Sequence, residues 1–153
     1  MRQAQQSRQN GFTLVELVAV LVLIAITIGV VTMSFSRNFA GARIQAASRD
    51  LVAALRYTRG QAIVKGQEAT FDLDVASNRY QAPGRSVVQL PATMHLNLYT
   101  AEQEQTSETS GRIRFFPDGA STGGHISVLM DRAEWRINVD WLTGGVTREE
   151  LKR

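Results

Sequence analysis

The chain of 153 residues carries 17 Lys+Arg against 14 Asp+Glu, a net charge of +3, with 44% hydrophobic residues and no cysteine. That length bounds it to one folded domain, and the missing thiols exclude disulfide scaffolds, cysteine zinc sites, iron–sulfur clusters and thiol catalysis. Arg2 and Arg8 account for most of the excess charge and lie in an opening stretch without acid, so bulk charge gives no sign of a nucleic-acid partner.

Residues 1–11 form a short basic, polar leader that stops at Gly11. From Leu17 to Val31 only Thr27 is polar, and apolar character extends back to Phe12 and forward through Met33 and Phe35. About 20 residues rising roughly 1.5 Å each match a ~30 Å hydrocarbon core, so 12–35 is expected to be a transmembrane helix. A cleaved secretory signal, with Ala40-Gly41-Ala42 as its processing pattern, is the rival reading of this region. Against it, the apolar run exceeds the roughly 7–15 residues of a signal core, ends before that pattern and contains Glu16.

The helix continues without a proline to stop it. Ile44, Ala47, Leu51, Leu55, Thr58 and Ala62 recur at three- and four-residue steps, an apolar stripe along an amphipathic half, 36–65. Arg37, Arg43, Arg49, Arg56 and Arg59 occupy other faces, either solvated or paired with lipid headgroups or acidic neighbours. A single helix from about Phe12 to about Lys65 would be roughly 80 Å long at ~1.5 Å per residue, with Gly29 and Gly41 as weak points.

After Gly66 the period becomes two, and 66–153 reads as a β domain. Ala69, Phe71 and Leu73 alternate with polar residues, and Ser77-Asn78 forms a hairpin turn into Arg79-Tyr80-Gln81. Val87–Leu90 and Met94–Tyr99 are further strands, Ala101–Gly111 is a polar loop, and Arg112–Phe116 precedes a Pro117-Asp118-Gly119 turn. His125–Met130 and Glu134–Trp141 complete the series. Strands without intervening helices pair antiparallel, so the fold class is α+β.

Chemistry is sparse in this pattern. His95 and His125 lie in strands and lack cysteine partners for a metal, while Asp72 and Asp74 share one strand face that solvent explains as well as calcium does. The glycines from Gly119 to Gly124 are not followed by a lysine and sit between strands, which makes them turns and not a phosphate loop. There is no Gly-x-Ser-x-Gly elbow, and Trp135 and Trp141 read as core and sheet-edge aromatics. No enzyme activity, cofactor or metal site is expected.

The unusual residue is Glu16, a carboxylate at the edge of an apolar helix. Such a group costs on the order of 3 kcal/mol at a membrane helix centre and calls for a partner, unless it stays at the interface near the helix N-terminus. Gly11-Phe12-Thr13-Leu14-Val15-Glu16, between a basic leader and an apolar helix, resembles the type IV prepilin signature of pilins and type II secretion pseudopilins. The resemblance implies cleavage after Gly11 by a prepilin peptidase, N-methylation of Phe12, and Glu16 as the assembly carboxylate. Ile113-Arg114-Phe115-Phe116-Pro117-Asp118-Gly119-Ala120-Ser121-Thr122-Gly123-Gly124, running into His125-Ile126-Ser127-Val128, resembles a strand–turn–strand element of H-type minor pseudopilins, a family that includes FimT-type minor pilins.

That family has a long N-terminal helix packed on a small antiparallel β-sandwich. The resemblance implies an inner-membrane, single-pass protein with its β domain in the periplasm, built into a pseudopilus beside the major pseudopilin, other minor pseudopilins and the assembly platform. The positive-inside rule does not decide orientation, because Arg2 and Arg8 nearly balance Arg37, Arg43 and Arg49. The alternative is a FimT-type minor pilin for pilus assembly or DNA uptake. The C-terminal residues Arg148, Glu149, Glu150, Lys152 and Arg153 are too nearly balanced to favour that basic role, so no nucleic acid is expected.

Overall fold

The computed structural model describes residues 13–100, 104–107 and 109–152, with the side chains of 30–40, 106, 107 and 152 left aside. The chain divides into two compact units, 1–39 and 40–153. One helix, α1 (Leu14–Lys65), contributes to both.

Thr13 starts α1. Its carbonyl accepts from the Leu17 N–H at 3.2 Å and its hydroxyl from the Glu16 N–H at 3.3 Å, which satisfies an otherwise orphaned donor of the first turn. Gly66 stops it. At φ 62 it takes the left-handed conformation, its N–H returns to Ile63 O, and the Gln67 N–H reaches Ala62 O. That pair of bonds is a Schellman ending, which the sequence signals by glycine after a basic last turn. Helix runs through Gly29 and Gly41, so neither breaks it.

In the 40–153 unit the strands are β1 (Ala69–Asp74), β2 (Arg79–Gln81), β3 (Val88–Gln89), β4 (His95–Tyr99) and β5 (Gln105–Ser107). They continue as β6 (Ser110–Phe115), β7 (Gly124–Met130), β8 (Ala133–Val139) and β9 (Val146–Lys152). One sheet has the order β3-β2-β1-β6-β5 and the other β4-β7-β8-β9, with antiparallel pairing throughout. The alternation expected from Ala69 onward holds, with Ala69, Phe71 and Leu73 buried. Phe71 stacks on Tyr80 at 5.5 Å, and Phe115, Ile113, Ile126, Val128, Leu96 and Ile137 complete a fully buried centre.

All six residues of the expected helical stripe, Ile44, Ala47, Leu51, Leu55, Thr58 and Ala62, are buried. The hydroxyls of Ser48 and Thr58 do not break this dry face, because each donates back to a helix carbonyl, Gln45 O and Ala54 O. Three arginines tie α1 to the β domain: Arg56 donates to Val146 O, Arg59 to Gly119 O, and Arg148 to Gln45 O and Ser48 Oγ. Arg148 also lies over the Trp135 ring at 4.3 Å. The expectation of a solvated basic helix face is corrected at Arg59, which is half-buried, while Arg43, Arg49 and Arg56 are exposed, Arg56 with one bond to Val146 O.

Other expectations are corrected too. The segment taken as a polar loop, Ala101–Gly111, contains β5 and the start of β6; residues 101–103 and 108 lie outside the described residues. Strand β9 lies where the sequence pattern predicts no strand. Trp141 is neither core nor part of a strand: it is 66% exposed in the turn from Asp140 to Gly145. That turn is held by Asp140 Oδ1, which accepts from the Leu142 and Thr143 amides and the Thr143 hydroxyl.

Two outcomes follow from this packing. Leu55→Ala empties a fully enclosed site, and an equilibrium denaturation of the detergent-solubilised chain should show a loss of about 2–5 kcal/mol. The Asp140 carboxyl is held below its usual range by the Thr143 amide and then its hydroxyl. Its contribution is present above the unfolded value near 3.8 and is lost as pH falls through the lowered folded value. Melting curves of Asp140→Asn and the parent chain should therefore differ most near neutrality and converge in acid; a gap independent of pH would refute this.

Candidate functional site

The 1–39 unit presents the feature that most needs an explanation. Eleven large apolar side chains from Leu14 to Ile28 are exposed on every face of the helix. A helix that is apolar all round belongs in lipid or inside a bundle of other helices. The one hydroxyl in its middle is already satisfied, since Thr27 Oγ1 donates to Leu23 O at 2.6 Å, so no side chain between Leu17 and Gly29 needs water. Glu16 stands as the single charge at the start of this surface, in the first turn where the helix dipole favours an anion. Among the described residues no cation pairs with its carboxylate.

Thr13-Leu14-Val15-Glu16 has the Ser/Thr-x-x-Glu spacing of a capping box, of which the Thr13 half is formed. The whole leader 1–11, Gly11 included, and Phe12 lie outside the described residues. Among the described residues no helix is long and apolar enough to cross a membrane. The expected span 12–35 reaches past that range at both ends, since the side chains of 30–35 are not described.

The remaining candidates disperse. His95 and His125 sit at opposite ends of the β4–β7 ladder, paired with Leu129 and Tyr99. His125 stacks on Tyr99 at 4.5 Å, and burial, then the charge of Arg136, lowers its pKa. No group of three histidine or acidic side chains is placed to hold a metal among the described residues. Asp74 accepts from the Ser77 amide and pairs with Arg79 at 2.9 Å, an internal clasp of the hairpin, while Asp72 faces outward. Pro117-Asp118-Gly119 forms the expected turn, closed by the Gly119 N–H to Phe116 O at 2.9 Å. Gly144 packs so closely on Gly119 O that a Cβ there would collide with it.

One charged cluster escaped the sequence reading. Glu104 is 4% exposed, with Arg114 Nη2 3.1 Å from Oε1 and Arg112 Nε 3.1 Å from Oε2, the latter a charge contact without hydrogen-bond alignment. Arg114 Nη1 also pairs with Glu68 at 2.9 Å. Arg112 and Arg114 share one face of β6 by simple alternation, but nothing local marks Glu104 as their partner.

A helix leading into two antiparallel sheets, opened by an apolar surface with one carboxylate, defines a pilin-like protein. The chain matches the family described as Type II transport protein GspH over residues 47–144, and the Prokaryotic N-terminal methylation motif over residues 6–32. It is 37% identical over 143 residues to the Type II secretion system protein H of Xanthomonas campestris pv. campestris, covering 94% of this chain and 85% of that protein. Two structures of the minor pseudopilin EpsH from the Type 2 Secretion System of Vibrio cholerae share its fold, at TM-scores of 0.54 and 0.53. Their sequences are 15% and 16% identical to it, and the matches cover 72% of this chain and 97% and 94% of theirs. The chain belongs to the GspH family.

The apolar surface gives a direct expectation. Reconstituted in lipid, single-cysteine probes at Leu17, Leu21 and Ile24 should resist a water-soluble maleimide while a probe at Val64, 81% exposed, reacts; equal labelling of all four would refute burial of this surface.

Proposed function

We propose that this chain is a minor pseudopilin: a structural subunit of the type II secretion pseudopilus, which exports folded proteins from the periplasm across the outer membrane. The observation that carries this is the helix from Leu14 to Ile28, apolar on all faces and headed by Glu16, within a chain of the GspH family that bears the N-methylation motif. The role is mechanical and not catalytic. The subunit is stored in the inner membrane with its β domain in the periplasm, then exchanges lipid contacts for helix contacts as the fibre grows.

In this reading a prepilin peptidase cuts between Gly11 and Phe12 and methylates the new amine. The apolar half of α1 gains little from leaving lipid for other helices, since both surroundings are equally apolar, so register must come from a polar contact. Glu16 supplies it by meeting the N-terminal ammonium of a neighbouring subunit, where each charge offsets the other's desolvation. The partners are the peptidase, the major and other minor pseudopilins, and the inner-membrane assembly platform. A DNA-uptake role is less well supported, because Arg79, Arg112, Arg114 and Arg148 are all engaged within the chain.

The decisive measurement is the intact mass of the protein from membranes of a cell with its own prepilin peptidase. The expected mass is that of Phe12–Arg153 plus one methyl group, and a bulky residue at Gly11 should leave the chain full length. A parent chain that stays full length, or starts after Ala42, would overturn the reading. Glu16→Leu should be cleaved normally yet enter the fibre at least tenfold less, while Glu16→Asp keeps part of the function.

A further inference from the structure

The outer face of the five-stranded sheet places three carboxylates around two arginines. Arg112 and Arg114 point outward from β6, while the intervening Ile113 is buried in the core. Glu104, the residue before β5, lies across both guanidinium groups and is 4% exposed. Two further acids stand beside the same arginines. Glu68 is 2.9 Å from Arg114 Nη1, and Asp72 is directly opposite Arg112 on β1, exposed and, among the described residues, without an ion pair. Opposed outward side chains of an antiparallel pair have Cβ atoms about 4.5–5.5 Å apart, so Asp72 is within reach of Arg112.

The contact that Glu104 makes is incomplete. Its Oε2, Arg112 Nε and Arg114 Nε are buried without a hydrogen-bond partner, so the charges meet without full hydrogen bonding. A polar network enclosed by protein and only partly satisfied is costly. Arg114 has the firmer hold on Glu68: its pKa is raised by the bond to Glu68 first and by the charge of Glu104 after that. The backbone that carries Glu104 is lightly held as well. Strand β5 ends the sheet, is three residues long, and meets β6 at Gln105↔Gly111 and Ser107↔Ser110 with a register shift between them.

Alternate residues of β6 turn their backbone groups toward the β5 side. The Arg114 N–H donates to Thr122 Oγ1 and its carbonyl accepts from the Thr122 N–H, while Arg112 O accepts from the Thr100 hydroxyl, so Ser110 and Arg112 face β5. Such a row is a template for pairing with another strand, and β5 covers it. Withdrawing a carboxylate from two arginines is costly when it leaves them without an acid. Here Asp72 and Glu68 are already in place. We propose that Glu104–Ser107 is a releasable strap on this sheet edge: Glu104 gives up both arginines for water, Arg112 turns to Asp72, Arg114 keeps Glu68, and the backbone edge of β6 at Ser110 and Arg112 is uncovered. Because both arginines have an acid in either state, neither state carries a lone cation, and the sheet has two stable endings.

Hydrogen exchange of the full chain in detergent, resolved to single amides and corrected for intrinsic rates, tests the strap. In the parent chain the Ser110 and Arg112 amides should exchange at least tenfold faster than that of Ile113, which faces β1 in the same strand. Glu104→Gln keeps the shape and removes the charge; it should speed Ser110 and Arg112 at least tenfold further and leave Ile113 unchanged. Asp72→Asn discriminates, because opening then leaves Arg112 without an acid: exchange at Ser110 and Arg112 should slow at least threefold, whereas a fixed clasp would not respond to a residue outside it. Asp72 is exposed, so this variant keeps the fold, and its melting temperature should match the parent's. Should Glu104→Gln loosen the whole sheet, Ile113 accelerates with the others, and the parent chain and Asp72→Asn decide. The proposal is overturned by Ser110 and Arg112 exchanging in step with Ile113 in the parent chain, by their indifference to Glu104→Gln, or by their indifference to Asp72→Asn.

Discussion

The β domain depends on one strip of helix. From Ile44 to Ala62 the same face of α1 supplies Leu51 and Leu55 to the core with no exposed surface, and the two hydroxyls on that face are returned to the helix backbone. Loss of one leucine there leaves a void that neither rigid sheet can close. The arginine bonds from Arg56, Arg59 and Arg148 work at the margins of the strip. They end on backbone carbonyls or a buried hydroxyl, so each adds a charge-assisted bond at the edge of the packing.

The same helix changes its physics where the strip ends. Between Leu14 and Ile28 there is no polar face to turn toward water, and the exposed apolar side chains demand a cover that the chain itself does not provide among the described residues. Lipid and a bundle of like helices are equivalent covers for leucine and valine. They are not equivalent for a carboxylate, which gains most from a cation held close in a medium of low dielectric. In the proposed assembly a single acid in such a helix would therefore discriminate between storage and fibre, although it contributes little to how strongly the helix prefers an apolar medium.

Much of this was legible in the sequence because it is periodic. The stripe at three- and four-residue steps, the alternation from Ala69 to Asp74 and the Pro117-Asp118-Gly119 turn are local patterns, and local rules govern them. What escaped depends on distant partners. Strand β9 reads as a charged tail because Arg148 and Glu150 occupy the positions where inward apolar residues would sit; Arg148 is accommodated there by Trp135, Gln45 and Ser48, up to 103 residues away. Glu104 is buried by two arginines of β6, and Trp141 lies in a turn ordered by Asp140 and not in the strand before it. The N-terminal segment was legible for a different reason: residues 6–32 match the Prokaryotic N-terminal methylation motif, a pattern of sequence that need not express a fold at all.

Glu16 and Asp50 close the comparison between the two halves of the helix. Both are carboxylates on α1, and among the described residues neither meets a cation of its own chain, while Asp74, Glu68 and Glu104 all do. Their settings assign them different work. Glu16 borders an apolar surface, where an unpaired charge is costly and a matched one would, in the proposed assembly, fix axial register. Asp50 is exposed, where water already satisfies the charge and an ion pair would contribute only about 0–1 kcal/mol. In the proposed assembly, Glu16 and not Asp50 is therefore the carboxylate that a subunit leaving lipid would match to a cation.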